Sequence, residues 1–153
     1  MAGLRLVLAS ANPSKAAEID DIVAALAPGI IELVPRPVDV PDVVEDADTF
    51  EGNARLKAVA LVEASGLPAL ADDSGLVVDA LGGAPGVRSA RYAGESATDG
   101  DNRDRLLREL TGVPDRAARF VCTVMVRWPD GRELVATGEV AGRIAEAPAG
   151  SGG

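Results

Sequence analysis

The sequence feature that most constrains the fold lies near the N-terminus, where an apolar segment is followed at once by residues that begin a helix. Residues 4–10 read Leu-Arg-Leu-Val-Leu-Ala-Ser, which is typical of a buried strand. Asn12-Pro13 follows, with the form of a helix N-cap and a proline in the first helical position. Beyond it, apolar residues recur along one side of a helix at Ile19, Ile22, Val23 and Leu26. The chain is therefore expected to pass directly from strand to helix.

The same alternation continues along the chain. A strand is predicted at 30–34, an acidic, proline-containing loop at 35–48, and a helix at 49–65 with Asp48 as its N-cap and Gly66 at its end. A short strand at 68–72, a separate extended segment at 76–81, a helix at 101–111, and strands at 117–128 and 132–141 around a turn at 129–131 follow. These elements predict a single α/β domain over 1–153, with a mixed central sheet flanked by helices and an antiparallel hairpin region.

Composition excludes several classes of chemistry. The sequence has no histidine, which excludes a Ser–His–Asp triad, a histidine base and a histidine metal site. Its one cysteine, Cys122, excludes an internal disulfide and a cysteine-rich zinc site. The formal charge of −9 disfavours general nucleic-acid binding, because the protein repels a phosphate backbone at long range. Carboxylates, lysines, arginines, hydroxyls and a hard cation remain available.

No segment of the sequence indicates a membrane location. No apolar run approaches the roughly 20 residues that a membrane-spanning helix needs. The first residues lack the basic start and the long apolar region of a signal peptide. We therefore expect a cytoplasmic protein that has no membrane partner.

The first candidate site is the turn from the first strand into the first helix, Ser10-Ala11-Asn12-Pro13-Ser14-Lys15. A helix N-terminus offers unpaired N–H groups and a partial positive charge that suit an anion. Lys15 near the third helical position opposes that charge, at a cost of about 0.3–1 kcal/mol unless something compensates. Either a phosphate binds here, or the segment is an ordinary capped helix with a solvated lysine.

The second candidate site consists of carboxylates. Asp72 and Asp73 end a predicted strand before Ser74-Gly75, and their side chains are expected on opposite faces. Glu45 lies in the acidic loop before the second helix. Two carboxylates, phosphate oxygens and waters form the ligand set that Mg²⁺ prefers, so Glu45 with Asp73 is a candidate metal site. The alternative is a turn aspartate beside a solvated loop.

The second helix carries a polar edge beside its apolar residues. Asn53 and Lys57 are spaced to share that edge, next to the apolar positions Phe50, Ala54, Ala58 and Leu61. Lys57 is either a second cation for phosphate or a lysine whose stem covers apolar surface.

Taken together, these segments resemble the Ham1-like family of inosine/xanthosine triphosphate pyrophosphatases. Ser10-x-Asn12-x-x-Lys15 is similar to the family's T/S-x-N-x-x-K signature, and Thr49-Phe50-x-x-Asn53-Ala54-x-x-Lys57-Ala58 is similar to its second helix. The remaining matching motifs follow in the family's order: 71–76, 81–86, 89–92, 97–99, 118–120 and 148–153. The resemblance spans essentially the whole chain.

The resemblance implies an ITPase-like fold and Mg²⁺-dependent hydrolysis of non-canonical purine nucleoside triphosphates (dITP/ITP, XTP) to the monophosphate and pyrophosphate. It implies a homodimer as well. By position, Asp73 matches the family's catalytic carboxylate and Glu45 its acidic metal partner. Lys57 matches a phosphate contact and Ser74 a substrate contact. The triphosphate loop corresponds to Ser10, Ala11, Asn12, Pro13, Ser14 and Lys15.

The family continues beyond the position of Gly152-Gly153 with segments that read the base, so the resemblance implies that this chain lacks the family's C-terminal segment. Two alternatives stay open. One is a Maf-like nucleotide pyrophosphatase with a different base preference. The other is a non-catalytic nucleotide-binding or dimerisation module.

Overall fold

The computed structural model describes residues 3–151 as alternating strands and helices. In chain order the elements are β1 Leu4–Leu8, α1 Pro13–Leu26, β2 Ile31–Val34, α2 Phe50–Ser65, β3 Ala69–Val78, α3 Asp99–Glu109, β4 Ala117–Arg127 and β5 Glu133–Arg143. Two short 3₁₀ segments, Asp79–Leu81 and Gly86–Arg91, lie between β3 and α3. No helix in the described part of the chain is long and apolar enough to span a bilayer.

The strands form one sheet in the order β2-β1-β3-β4-β5. β1 runs parallel to β2, with Leu4 opposite Ile31, and parallel to β3, with Val7 opposite Ala69. β4 and β5 are sheet neighbours joined by a tight turn, which requires them to be antiparallel. The predicted α/β class and mixed sheet with a hairpin region are confirmed.

The described chain separates into two compact units. The first unit runs to Asp73 and adds Thr123–Thr137, and the second unit consists of Ser74–Cys122 and the segment from Gly138 onward. The description of 1–153 as a single domain stays a prediction. The terminal Gly152 and Gly153, which belong to one of the family motifs, lie outside the described residues.

In the first unit, both faces of β1 are covered. Val7 and Ala9 pack with α2, whose Ala54 and Ala58 are fully buried. Leu6 and Leu8 form a second cluster with residues of α1 that include Ile19. The small side chains on α2 bring that helix close to the sheet, and this positions the polar groups along its edge.

The second unit has its own core and its own capped helix. The buried residues of its core cluster are Val78, Leu106, Leu110 and Ala118. α3 begins at a capping box in which Thr98 and Asp101 satisfy each other's backbone N–H groups. Asn102 on this helix is buried, and its side chain accepts from Ala93 N–H and donates to Ala90 C=O.

Three details of the sequence prediction were wrong. The N-cap of α2 is Thr49, whose hydroxyl accepts from Gly52 N–H, and not Asp48. The predicted strand at 68–72 and the extended segment at 76–81 belong largely to one continuous strand, β3, which runs through Asp73-Ser74 and has β1 and β4 as its sheet neighbours. On α1, Ile22 and Leu26 are 50% and 80% exposed, because the helix covers the sheet mainly with its first half.

Candidate active site

A cleft of about 340 Å³ opens in the first unit where β1 ends. Its walls come from the β1–α1 turn, the loop between β2 and α2, the edge of α2 and the first half of β3. The lining residues are Ala9, Ser10, Ala11, Asn12, Lys15, Arg36, Asp42, Val43, Glu45, Lys57, Leu61 and Asp72. Ser10, Ala11, Asn12, Lys15, Glu45 and Lys57 were all singled out from the sequence, and the structure brings them together in one cavity.

The β1–α1 turn is held by Asn12, the predicted N-cap of α1. Its side-chain Oδ1 accepts from Ser14 N–H at 3.0 Å and from Lys15 N–H at 3.4 Å. Ser10 Oγ in turn accepts from Asn12 N–H at 3.2 Å. The cap thus occupies two N–H groups of the first turn, so an incoming anion competes with Asn12 for these donors.

Lys15 contacts a carboxylate across the cleft. Its Nζ forms an ion pair with Asp72 Oδ2, and the Asp72 side chain is almost fully buried. The first turn of α1 contains no acidic residue. Asp72 therefore supplies the compensation that the position of Lys15 at the positive end of a helix requires.

Lys57 lies between two carboxylates. Its Nζ is 2.6 Å from Glu45 Oε1 and 3.4 Å from Asp73 Oδ1. Burial by itself lowers the pKa of Lys57, but the hydrogen bond that Lys57 donates to Glu45 and the charge of Asp73 outweigh it, and the net shift is upward. Lys57 therefore stays a cation at neutral pH, whereas its two partners leave the cluster with a net negative charge.

Asp73 is the most perturbed carboxyl group of the site. Burial raises its pKa above the ordinary value of 3.8, and the charge of Lys57 and a hydrogen bond from Asn53 offset this only in part. Asn53 Nδ2 donates to Asp73 Oδ2 at 3.3 Å. Asp72 and Asp73 thus have different partners, as their alternation along a strand predicts. Asp73 does not line the cleft wall itself and reaches it through Lys57.

The remaining predicted residues lie elsewhere. Pro13 lines a neighbouring depression of about 300 Å³ that shares Ser10 to Asn12 with the main cleft. Ser14 is exposed and contributes its backbone N–H to the Asn12 cap. Ser74 is exposed and belongs to the second unit. Their roles in substrate binding stay predictions.

Among the cleft residues that the sequence analysis did not include in the site are Asp72 and Arg36. Asp72 was left without a role because Asp73 was preferred, although adjacent aspartates at a strand end were a usable signal. Arg36 carried no motif, yet its side chain is 14% exposed and donates to Pro41 C=O at 3.0 Å and to Asp42 Oδ1 at 3.3 Å. A lone arginine within an acidic loop was the available clue.

The two cleft lysines are the only lysines in the sequence. All other basic side chains among the 15 Lys+Arg residues are arginines. Lysine presents a compact ammonium point charge, whereas arginine offers a planar fork that pairs with carboxylates in two-point contacts. A chain that otherwise uses arginine places lysine at two positions, both on the wall of one cleft.

The donor set of the cleft suits a hard cation. Glu45 and Asp73 present carboxylate oxygens around Lys57, and two carboxylates with one ammonium leave a surplus negative charge. The described residues contain no group of three His, Cys, Asp or Glu side chains arranged to hold a metal alone. Such a site matches Mg²⁺, which takes one or two protein carboxylates and completes its shell with phosphates and water.

Comparison with known proteins gives consistent matches. A protein-family model described as the Ham1 family matches residues 6–153. The dITP/XTP pyrophosphatase of Geobacter sulfurreducens is 49% identical over 151 residues, which cover 97% of this chain and 75% of that protein. The corresponding Streptomyces coelicolor protein is 46% identical over 97% of this chain and 76% of its own length. A solved structure of a HAM1 protein from Coxiella burnetii superposes with a TM-score of 0.88 at 41% identity, covering 98% of this chain and 77% of that one.

Proposed function

The chain belongs to the Ham1 family, and we propose that it hydrolyses the non-canonical purine nucleoside triphosphates dITP/ITP and XTP to the monophosphate and pyrophosphate. The observation that carries this proposal is the cleft at the end of β1, where the chain's two lysines pair with the buried Asp72 and Asp73 and the half-buried Glu45. The relatives named dITP/XTP pyrophosphatase support the substrate class.

Binding of the triphosphate would depend on local cations, because the protein as a whole carries a charge of −9. Lys15 and Asp72 form a nearly neutral pair, so Lys15 Nζ can exchange its carboxylate partner for a phosphate oxygen. Ser10 and Asn12 add polar groups beside it, and Lys57 offers the second ammonium. In this proposal Ala11, Pro13 and Ser14 shape the same loop, and Ser74 contacts the substrate.

Asp73 is the group we assign to the attacking water. Its carboxylate orients the water and accepts a proton from it as the water oxygen bonds to the α-phosphorus. The bond from the α-phosphorus to the bridging oxygen breaks, and pyrophosphate leaves with that oxygen. The raised pKa of Asp73 makes it a stronger base than an exposed aspartate, and general-base catalysis gains from that. Lys15 would stabilise the charge that develops on the departing phosphates.

Glu45 and Asp73 are the residues we propose to hold Mg²⁺. Bound there, the ion would neutralise phosphate charge and polarise the phosphoryl group. Lys57 contacts both carboxylates and keeps them together before substrate arrives. The oxygen-only donor set and the surplus negative charge support this assignment over zinc, which prefers nitrogen and sulfur ligands.

The cellular setting completes the proposal. The resemblance to the family supports a homodimer that acts in the cytoplasm. The negative net charge disfavours nucleic acid as a partner. A purine nucleoside triphosphate is then the partner of the cleft.

Release of pyrophosphate from a panel of nucleotides tests this function. We expect turnover of dITP, ITP and XTP with Mg²⁺, loss of turnover on chelation, and much slower turnover of dTTP and UTP. Preference for dTTP or UTP would instead indicate the activity of a Maf-like enzyme. Nucleotide binding without pyrophosphate release, with Mg²⁺ present, would indicate a non-catalytic module.

A further inference from the structure

Asn53 is a polar side chain with no solvent exposure, and it contacts two segments of the proposed site. Its relative exposure is 0%. Its Oδ1 accepts from Ala47 N–H at 3.0 Å, and its Nδ2 donates to Asp73 Oδ2 at 3.3 Å. A buried amide is costly unless its groups are hydrogen-bonded, and both ends of this one are used.

The orientation of the Asn53 amide follows from its neighbours. A backbone N–H can only donate, so the atom that faces Ala47 must be the oxygen. The NH₂ group then faces Asp73, which accepts through Oδ2 and turns its other oxygen, Oδ1, toward Lys57. Asn53 therefore fixes the orientation of the Asp73 carboxylate relative to Lys57.

The second contact of Asn53 holds the loop that carries Glu45. Ala47 is two residues beyond Glu45, and it packs against the first turn of α2. A Cβ on Gly52 would lie 2.7 Å from Ala47 Cβ, closer than real Cβ contacts allow. The loop therefore approaches α2 where a glycine leaves space and the Asn53 amide anchors its backbone.

We propose that Asn53 is a positioning residue that fixes Asp73 and the Glu45 loop relative to each other. It acts through these two segments and does not itself touch substrate. The inference rests on the proposed function, because positioning has an effect on rate only if these carboxylates act in hydrolysis. Misplacement of a reacting group by about 1 Å can cost on the order of 10²-fold in rate.

Two substitutions separate the two contacts. N53D keeps an oxygen for Ala47 N–H but loses the donor to Asp73, whereas N53A loses both. We expect kcat for dITP to fall about 10²-fold in N53A, with KM changed less than about threefold, and to fall in N53D as well, because a second carboxyl group against Asp73 replaces the neutral amide. Exchange of the Ala47 amide hydrogen should accelerate in N53A and stay slow in N53D.

Asn102 offers a matched control. It is a buried asparagine on α3 whose side chain, like that of Asn53, uses both ends: it accepts from Ala93 N–H and donates to Ala90 C=O. N102A should lower the unfolding midpoint while kcat changes less than about twofold. Equal losses of kcat in N102A and N53A would show that general destabilisation explains both, which would overturn the inference.

A double-mutant cycle between N53A and D73A tests the link without activity. In urea unfolding, each single variant should raise the unfolding equilibrium constant by a measurable factor. If the two side chains interact, the factor for the double variant should be about tenfold smaller than the product of the two single factors. Agreement with that product within about twofold would refute the link. If the wild-type protein releases no pyrophosphate, the proposed function fails and the cycle alone decides. If the wild type is active and N53A keeps its kcat, the inference fails and the function stands.

Discussion

The two buried aspartates of the first unit pair with lysines, whereas the carboxylates of the second unit pair with arginines. In the first unit, the cleft pairs Lys15 with Asp72, and Lys57 with Glu45 and Asp73. In the second unit every basic residue is an arginine, and the partners include Arg105 with Glu109 at 2.9 Å and Arg116 with Glu146 at 2.9 Å. The two lysines line a cavity. Of these arginines, Arg105 pairs with a residue of its own helix, α3, and Arg116, just before β4, pairs with a residue that follows β5.

The same difference is visible in the carboxyl groups. Burial raises the pKa of Asp73, and its cationic partner compensates only in part. Glu109 shows the opposite shift, because a hydrogen bond from Tyr92 and another from Arg105 lower its pKa. The first unit thus keeps at its cleft a carboxylate that is poorly stabilised as an anion, as a base requires. Glu109 is instead stabilised within the fold, and so is Glu133 of the first unit, whose pKa is lowered by hydrogen bonds from Arg55 and Arg127.

The largest effect is expected for Asp73. D73N should lower kcat for dITP about 10³-fold, because the amide can neither accept a proton nor bind a metal as a carboxylate does. Circular dichroism should show an unchanged fold. D79N in the second unit is the control, since Asp79 contacts Arg119 on the surface and its loss should leave kcat within about twofold. Retained activity of D73N would remove Asp73 from its proposed role.

Exchange of Lys57 for arginine tests whether charge alone is enough. Lys57 is 22% exposed and lies within 3.4 Å of two carboxylates, where a larger planar guanidinium would hold one carboxylate in a two-point contact. We expect K57R to lower kcat about 10²-fold. The reverse exchange in the second unit, R105K, should change kcat less than about twofold. Equal behaviour of both variants would contradict the contrast between the units.

Lys15 is expected to act mainly in binding. K15A should raise KM for dITP about tenfold and change kcat less, because one charge-assisted contact to phosphate is lost. K15R should recover part of this affinity, since a cation returns to the end of the helix. Unchanged steady-state constants in K15A would show that Lys15 is an ordinary partner of Asp72.

The smallest effect concerns the second unit alone. Burial, with a hydrogen bond to Glu109, raises the pKa of Tyr92 to about 12. Because this value is above 10.0, the ordinary pKa of tyrosine, the associated stability is present in full below about pH 10 and is lost as pH rises toward about 12. Tyr92 is the one tyrosine in the sequence, so tyrosinate absorbance reports it directly. E109Q should lower this pKa, and a wild-type titration near pH 10 would contradict the contact.

Local signals predicted the elements that depend on neighbouring residues. The Asn12 cap, the start of α1 at Pro13 and the end of α2 before Gly66 all follow from residues within one helical turn. The hairpin turn after β4 was equally readable. Prediction of the α2 N-cap was wrong by one residue, because Asp48 and Thr49 are both good caps and only the backbone path decides between them.

Features that depend on distant residues could not be read in the same way. The continuity of β3 requires neighbours on both sides, which strand propensity does not encode. The pairing of Lys15 with Asp72 joins positions far apart in sequence, and so does the contact of Asn53 with Asp73. The sequence indicated which residue types the site needs, whereas the choice between Asp72 and Asp73 as the partner of each lysine required the fold.

The scarcity of lysine has a practical consequence. Reagents that acylate primary amines leave guanidinium groups unmodified at neutral pH, so apart from the N-terminal amine they can react only at Lys15 and Lys57. Both amines lie on the wall of one cavity, and protection by a bound nucleotide would be read at two residues without background from the rest of the surface. Chemical footprinting of occupancy is therefore simpler in this chain than in a protein whose surface carries many lysines.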